Sequence, residues 1–193
     1  MTDYNARFLS ATELAGLPFR ACGKDVLIDS SVRLIGVENI LLGDRVRIDA
    51  GTIIIATGPV TIGSWVHIAA NCYLEGRGGI TIGDFANISS YVSLHSVSDD
   101  FSGASLTNPM TPERFKRLQL GEIVLERHAL LGTKSTVLPG VRVGEGGVLG
   151  AHSMTRGDIS AFTIHAGVPA RRVKDRRRDL LELEAQFLSE NGG

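Results

Sequence analysis

The 193 residues carry 20 basic and 21 acidic side chains, a net charge of −1, and 43% hydrophobic residues. That balance fits one globular domain, or a main domain with a small appendage, and excludes a general electrostatic pull toward nucleic acid or anionic membrane. The opening MTDYNARFLS has no apolar core for a signal peptide, and no later stretch approaches the roughly 18 apolar residues of a membrane span.

In chain order, residues 1–25 read as an N-terminal segment in which Ser10 and Glu13 form a capping box for a short helix ending near Pro18. A loose six-residue spacing, Val26 to Val32, then predicts an irregular first coil. From residue 40 the chain aligns without gaps in three rows of twenty: ILLGDRVRIDAGTIIIATGP, VTIGSWVHIAANCYLEGRGG and ITIGDFANISSYVSLHSVSD. An aliphatic residue recurs every six positions, as Leu42, Ile48, Ile54, then Ile62, Ile68, Leu74, then Ile82, Ile88, Leu94. Two residues before many of them sits another small or aliphatic one, such as Val46, Val66, Cys72 and Val92. Cys72 therefore reads as a packing thiol. With Cys22 it makes neither a disulfide framework nor a Cys-x-x-Cys zinc pair. Residues 99–120 interrupt the repeat, which resumes at Leu125, Leu131, Val137, Val143 and Leu149.

A period of six matches neither a helix nor a simple alternating strand. It suits a short strand and a turn, three of which close one triangular coil. Stacked coils place each aliphatic residue over its equivalent, and no coil buries its own column alone. The reading is all-β: a parallel β-helix over residues 26–173 with a protruding loop at 99–120. Glycines after the aliphatic position (Gly43, Gly63, Gly83, Gly132, Gly144) are expected at corners with unusual backbone angles. A loop as long as 99–120 inside a compact repeat points to function. Residues 174–193 predict a terminal helix from about Asp175, with Leu180, Leu183 and Phe187 as its apolar stripe. Arg176 to Arg178 read as its first turn, Arg178 pairing with Glu182.

The hexapeptide rows, LGTKSTVLPGVRVGEGGVLGAHSMTRGDI and the run GVPARRVKDR resemble the left-handed β-helix acyltransferases over nearly the whole chain. The left hand is implied by that resemblance alone, since general connection rules favour the right. FANISSYVSLHSVSDDFSG, SLTNPMTPERFK and RRRDLLELEAQFL look more narrowly like the dTDP-4-amino-4,6-dideoxyglucose N-acetyltransferases of O-antigen and capsule pathways. The resemblance implies acetyl-CoA as cosubstrate, no metal, a nucleotide-sugar acceptor, a cytoplasmic location and a homotrimer with active sites between subunits. By position, Gly132, Ser135, Ala151 and Ser153 would let the pantetheine arm approach the backbone. Thr155, Arg156, Arg171 and Arg172 would meet the phosphates, which suits the planar arginine fork. Trp65 and Phe85 would pack in the trimer.

Acyl transfer from a thioester needs a nucleophile, a group to take its proton and donors for the oxyanion. Galactoside and maltose acetyltransferases place a histidine base where this sequence has Asp99, and their partner asparagine aligns with Ala69. His95, directly after the inward Leu94, faces outward and is the candidate base, with Asp99 or Asp100 orienting it or binding substrate. An amine is nucleophilic once neutral, so a strong base matters less for an amino sugar than for a hydroxyl. His67 and Asn87 share a row position on adjacent coils and are candidates to line the acceptor pocket across a subunit boundary. Arg45, Arg47 and Arg77 are candidates for a pyrophosphate. The alternative within the class is O-acetylation of a glycan or hexose. More distant alternatives are a γ-class carbonic-anhydrase-like metalloenzyme, against which the five histidines show no metal-sharing spacing, and a scaffold.

Overall fold

In a computed structural model, residues 7–191 are described; they form a parallel β-solenoid of about seven turns followed by a C-terminal helix. Short strands stack in register on three faces. The first face runs Ala21–Cys22, Ile40–Leu42, Val60–Ile62, Ile80–Ile82, Ile123–Leu125 and Arg142–Val143. The second begins Leu27–Ile28, Arg47–Ile48, His67–Ile68 and Asn87–Ile88. The third includes Arg33–Ile35, Ile53–Ile55, Tyr73–Glu75 and Ser93–His95. The aliphatic columns are the core: Ile48, Ile54, Ile62, Ile68, Leu74, Ile88 and Leu94 are all 0% exposed. Each such side chain contributes roughly 1.5–3 kcal/mol by leaving water.

Two boundaries differ from expectation. The solenoid starts at Ala21–Cys22, which pairs with Leu41 and Leu42, and the coil around Val26 is in register with the next. Both residues of that first strand are exposed, so no hydrophobic signal marks it. At the other end, Thr163–Gly167 and Ala170–Asp175 form an antiparallel hairpin, and helix α2 spans Leu180–Asn191. Arg176 is therefore no helical residue. Its guanidinium donates to the carbonyls of His128 and Gly146, tying the connector to the solenoid. Arg178 lies over the Phe162 ring at 4.5 Å, not against Glu182. Helix α1 (Ala11–Ala15) carries the expected reciprocal cap between Ser10 and Glu13.

The corner glycines have a different cause from the one expected. Positive φ falls two residues later, on Arg45, Trp65, Phe85 and Lys134, and on His128 where Glu126 stands in the glycine's place. Gly63 is needed because a Cβ there would meet the Asp84 side chain at 2.3 Å and its backbone N at 2.9 Å. Glycine here sets coil spacing. The non-glycine corner residues stack instead: Arg45 lies 4.4 Å over Trp65, Trp65 stacks on Phe85 at 6.0 Å, and Phe85 on His128 at 5.3 Å.

Helix α2 of the same chain covers that corner. Phe187 meets Trp65 edge-on at 4.8 Å, and buried Glu184 accepts hydrogen bonds from Arg127 and from His128 at 2.7 Å. Trp65 and Phe85 thus dock the C-terminal helix of their own chain. Among the described residues, no helix is long and apolar enough to cross a membrane.

Candidate active site

The insertion leaves after the third-face strand Ser93–His95 and returns ahead of Ile123–Leu125 on the first face. Val97–Ser98 pairs antiparallel with Gln119–Leu120, and the Gly121 N–H closes on the Ser96 carbonyl at 3.0 Å. Folded over the solenoid, the loop helps to form two adjoining clefts, and a third continues along the C-terminal coils. One of about 340 Å³ is lined by Glu75, Arg77, Asp99, Asn108 and Lys116. The next, about 800 Å³, is lined by His95, Asp99, Phe101, Thr136, Met154 and Arg156. The third, about 340 Å³, holds Arg156, His165, Arg171 and Arg172. Asp99 is common to the first two and Arg156 to the last two, so the three read as one continuous groove.

His95 sits at the middle of this groove with its ring 5.5 Å from Tyr73. Burial holds its pKa below the ordinary value of 6.5, which keeps the imidazole neutral and able to accept a proton at neutral pH. Burial, then the Arg172 cation, push His165 the same way. For both, the unfolded chain binds the proton first as the pH falls. Stability conferred by the neutral rings is therefore present above about 6.5 and declines as the pH drops below it. Unfolding midpoints at pH 7 and pH 5 should differ in that sense, and His95→Gln should flatten part of the slope; an unchanged slope would remove His95 from the linkage.

Asp100 has both oxygens engaged within the loop, with the Ser102 N–H at 2.9 Å and the Ser105 hydroxyl at 3.0 Å. The Ser102 contacts, then that of Ser105, hold its pKa low. It organises the insertion, leaving the exposed Asp99 as the groove-lining member of that pair. His67 and Asn87 do come together, at 3.1 Å, and His67 also meets Asp49 at 2.8 Å. They stand on the second face, however, whereas His95 is on the third, so one chain does not place them in the groove.

Of the positions expected along coenzyme A, Arg156, Arg171 and Arg172 line the basic cleft. Ser135 and Ser153 do not face it. They occupy the inward position two residues before an aliphatic one and are 0% and 2% exposed. The Ser153 hydroxyl accepts from the Gly167 N–H. Thr155 stands at the inward aliphatic position, paired beside Val137, and its hydroxyl donates to the Gly157 carbonyl at 2.6 Å. Gly132 lies against the Ala151 backbone, where a Cβ would approach the nitrogen at 2.4 Å. Ala151 itself is exposed. Arg45 and Arg47 are engaged with Asp25 and Asp49, which leaves Arg77 as the groove-lining member of that trio.

Sequence reasoning missed Glu75 and Lys116. The Lys116 side chain is only 7% exposed and pairs with Glu113 at 2.9 Å. Among the described residues, no three of His, Cys, Asp and Glu come together as a metal site.

Comparison with known proteins bears on this groove. A scan of protein-family models finds no match. The crystal structure of AntD, an N-acyltransferase from Bacillus cereus, in complex with dTDP-4-amino-4,6-dideoxyglucose and coenzyme A superposes with a TM-score of 0.93. It is 39% identical, over 97% of this chain and 100% of that one. The chain belongs to the hexapeptide-repeat acyltransferases. A dTDP-4-amino-4,6-dideoxy-D-glucose acyltransferase of Escherichia coli is 38% identical to this acyltransferase over 100 residues, 52% of either chain, so the match spans about half of that relative. A further AntD structure holds dTDP and 3-hydroxybutyryl-CoA. The AntD structure superposed above carries a substitution at one serine, and another carries one at an aspartate ten positions later; Ser89 and Asp99, or Ser90 and Asp100, have that spacing here.

Proposed function

We propose that this chain transfers an acyl group from coenzyme A to the amino group of a dTDP-linked 4-amino-4,6-dideoxyhexose, in the cytoplasm, for surface polysaccharide synthesis. The observation that carries the reading is the continuous groove, with arginines at one end, a half-buried neutral histidine and an exposed carboxylate in the middle, and a mixed-charge cleft at the other end.

Arg156, Arg171 and Arg172 hold the phosphates of acyl-CoA by paired N–H donors. The thioester then reaches His95 along Thr136 and Met154. At the far end Arg77 and Lys116 meet the acceptor's diphosphate. The amine, once neutral, attacks the thioester carbon; the carbon–sulfur bond breaks, and the departing thiolate of coenzyme A takes up the proton that the nitrogen gives to Asp99, leaving as its thiol. Asp99 takes the amine's proton, and the neutral His95 is the second candidate for that role. Acetyl is the acyl group assigned from the sequence, with 3-hydroxybutyryl as the larger one to compare.

His67 and Asn87 join such a groove only from another copy, by presenting their face beside His95. The reading accordingly includes a homotrimer with sites between subunits.

The test is thiol release from acetyl-CoA and from 3-hydroxybutyryl-CoA with two acceptors, dTDP-4-amino-4,6-dideoxyglucose and a hydroxyl sugar such as a galactoside. Turnover with the amine alone, surviving in His95→Ala, supports N-acylation. Turnover only with the hydroxyl sugar, abolished in that variant, would replace it by O-acylation with His95 as the base.

A further inference from the structure

Glu75 is a carboxylate in a column that is otherwise apolar up to the groove. The outward ends of the third-face strands pair in register as Ile35, Ile55, Glu75 and His95. Isoleucine gives way to ionisable groups only in the two coils that abut the insertion. The Glu75 backbone is pinned there, since its carbonyl accepts from the Ser96 N–H at 3.0 Å and from the Ser96 hydroxyl at 2.7 Å. Ser96 is itself fully buried.

The side chain lines the cleft that also holds Arg77, Asp99 and Lys116. It receives a hydrogen bond from the Arg77 backbone N–H. Its Oε2, however, is shut off from solvent and has no partner. Of the two cations in the cleft, Lys116 pairs with Glu113 from the insertion. A carboxylate so placed is under-satisfied as an anion, because a desolvated oxygen without a donor costs free energy that an incoming donor would recover. Burial accordingly raises its pKa.

We infer that Glu75 is a sugar-recognition residue: its carboxylate accepts a hydrogen bond from an ammonium or hydroxyl group on the acceptor's sugar ring, beside the diphosphate-binding cations and one strand from His95. The inference rests on the amino-sugar reading above and adds to it the residue that tells the sugar from the bare nucleotide. The register fixes the direction. Glu75 and His95 are neighbours across the sheet, so a ring held by the first lies beside the second, in the cleft that Asp99 also lines.

The experiment uses the full chain with Glu75→Ala and Glu75→Gln, with KM for each substrate and calorimetric titration of dTDP and of dTDP-4-amino-4,6-dideoxyglucose. In Glu75→Ala the KM and Kd for the amino-sugar nucleotide should rise about ten- to hundredfold, the size of one hydrogen bond to a charged group. The KM for acyl-CoA and the Kd for dTDP should stay within about twofold of wild type. Substantial rescue by glutamine identifies a hydroxyl donor, because an amide oxygen still accepts; no rescue identifies the ammonium. An unchanged amino-sugar Kd in both variants would overturn the inference, and so would an equal loss of dTDP and acyl-CoA affinity. Wild-type protein that binds the amino-sugar nucleotide without acylating it would overturn the transferase reading alone, the Kd comparison still reading Glu75. Wild type that does not bind it would overturn both.

Discussion

Replacing Asp99 with alanine is expected to lower kcat for the amine acceptor roughly a hundred- to ten-thousandfold, the contribution of one well-placed proton acceptor. The reason is position. Asp99 is the carboxylate shared by the acceptor-side cleft and the cleft around His95, and it stands in the open whereas Asp100 is tied to Ser102 and Ser105. Binding of acyl-CoA should survive, because Arg156, Arg171 and Arg172, proposed to meet its phosphates, line the neighbouring cleft, which Asp99 does not. Asp99→Asn separates two roles. An asparagine oxygen still accepts a hydrogen bond but takes no proton, so a fall in kcat with little change in KM marks proton transfer, and the reverse marks binding. Steady-state kinetics at fixed saturating acyl-CoA measures both. Full turnover in Asp99→Ala would move the proton to His95 or to water.

The second large effect is on stability. Ile68 is 0% exposed and lies between Ile48 and Ile88 in the second-face column. Ile68→Ala should cost about 2–5 kcal/mol in urea unfolding, as loss of transfer energy and the remaining cavity add together. Leu183→Ala, at a position 62% exposed on α2, should change stability by less than about 0.5 kcal/mol. Coils contact only their neighbours, so a hole in the middle of the stack weakens two interfaces at once. Equal effects of the two substitutions would mean that the central coils do not unfold with the rest.

Periodicity was readable because it is a one-dimensional signal. Every aliphatic triplet from Leu42 to Leu94 points inward where the six-residue spacing puts it. Ser135 and Ser153 were placed along coenzyme A by family position, and Thr155, which lines the basic cleft, likewise. Read by period, all three fall on inward columns, where they are buried. The strand at Ala21–Cys22 was silent because both its side chains are exposed and its pairing is made entirely by backbone groups. The connector from Arg176 to Asp179 was read as the first turn of α2 because a basic run has no period of its own.

The sequence by itself determined the stack, its interruption after the third row, and the chemical class of the groove's basic end. It also placed His95 on an outward column, since alternation along a strand is a local property of the chain. What only the tertiary structure decided was adjacency between residues whose spacing has no period. The insertion brings Lys116 to Arg77 and Glu75, α2 returns over Trp65 and Phe85, and His67 parts from His95 by one face of the prism. Those contacts depend on where a loop folds back and on which corner a helix finds apolar. Such outcomes are set by the summed burial of distant side chains, which no spacing along the chain records.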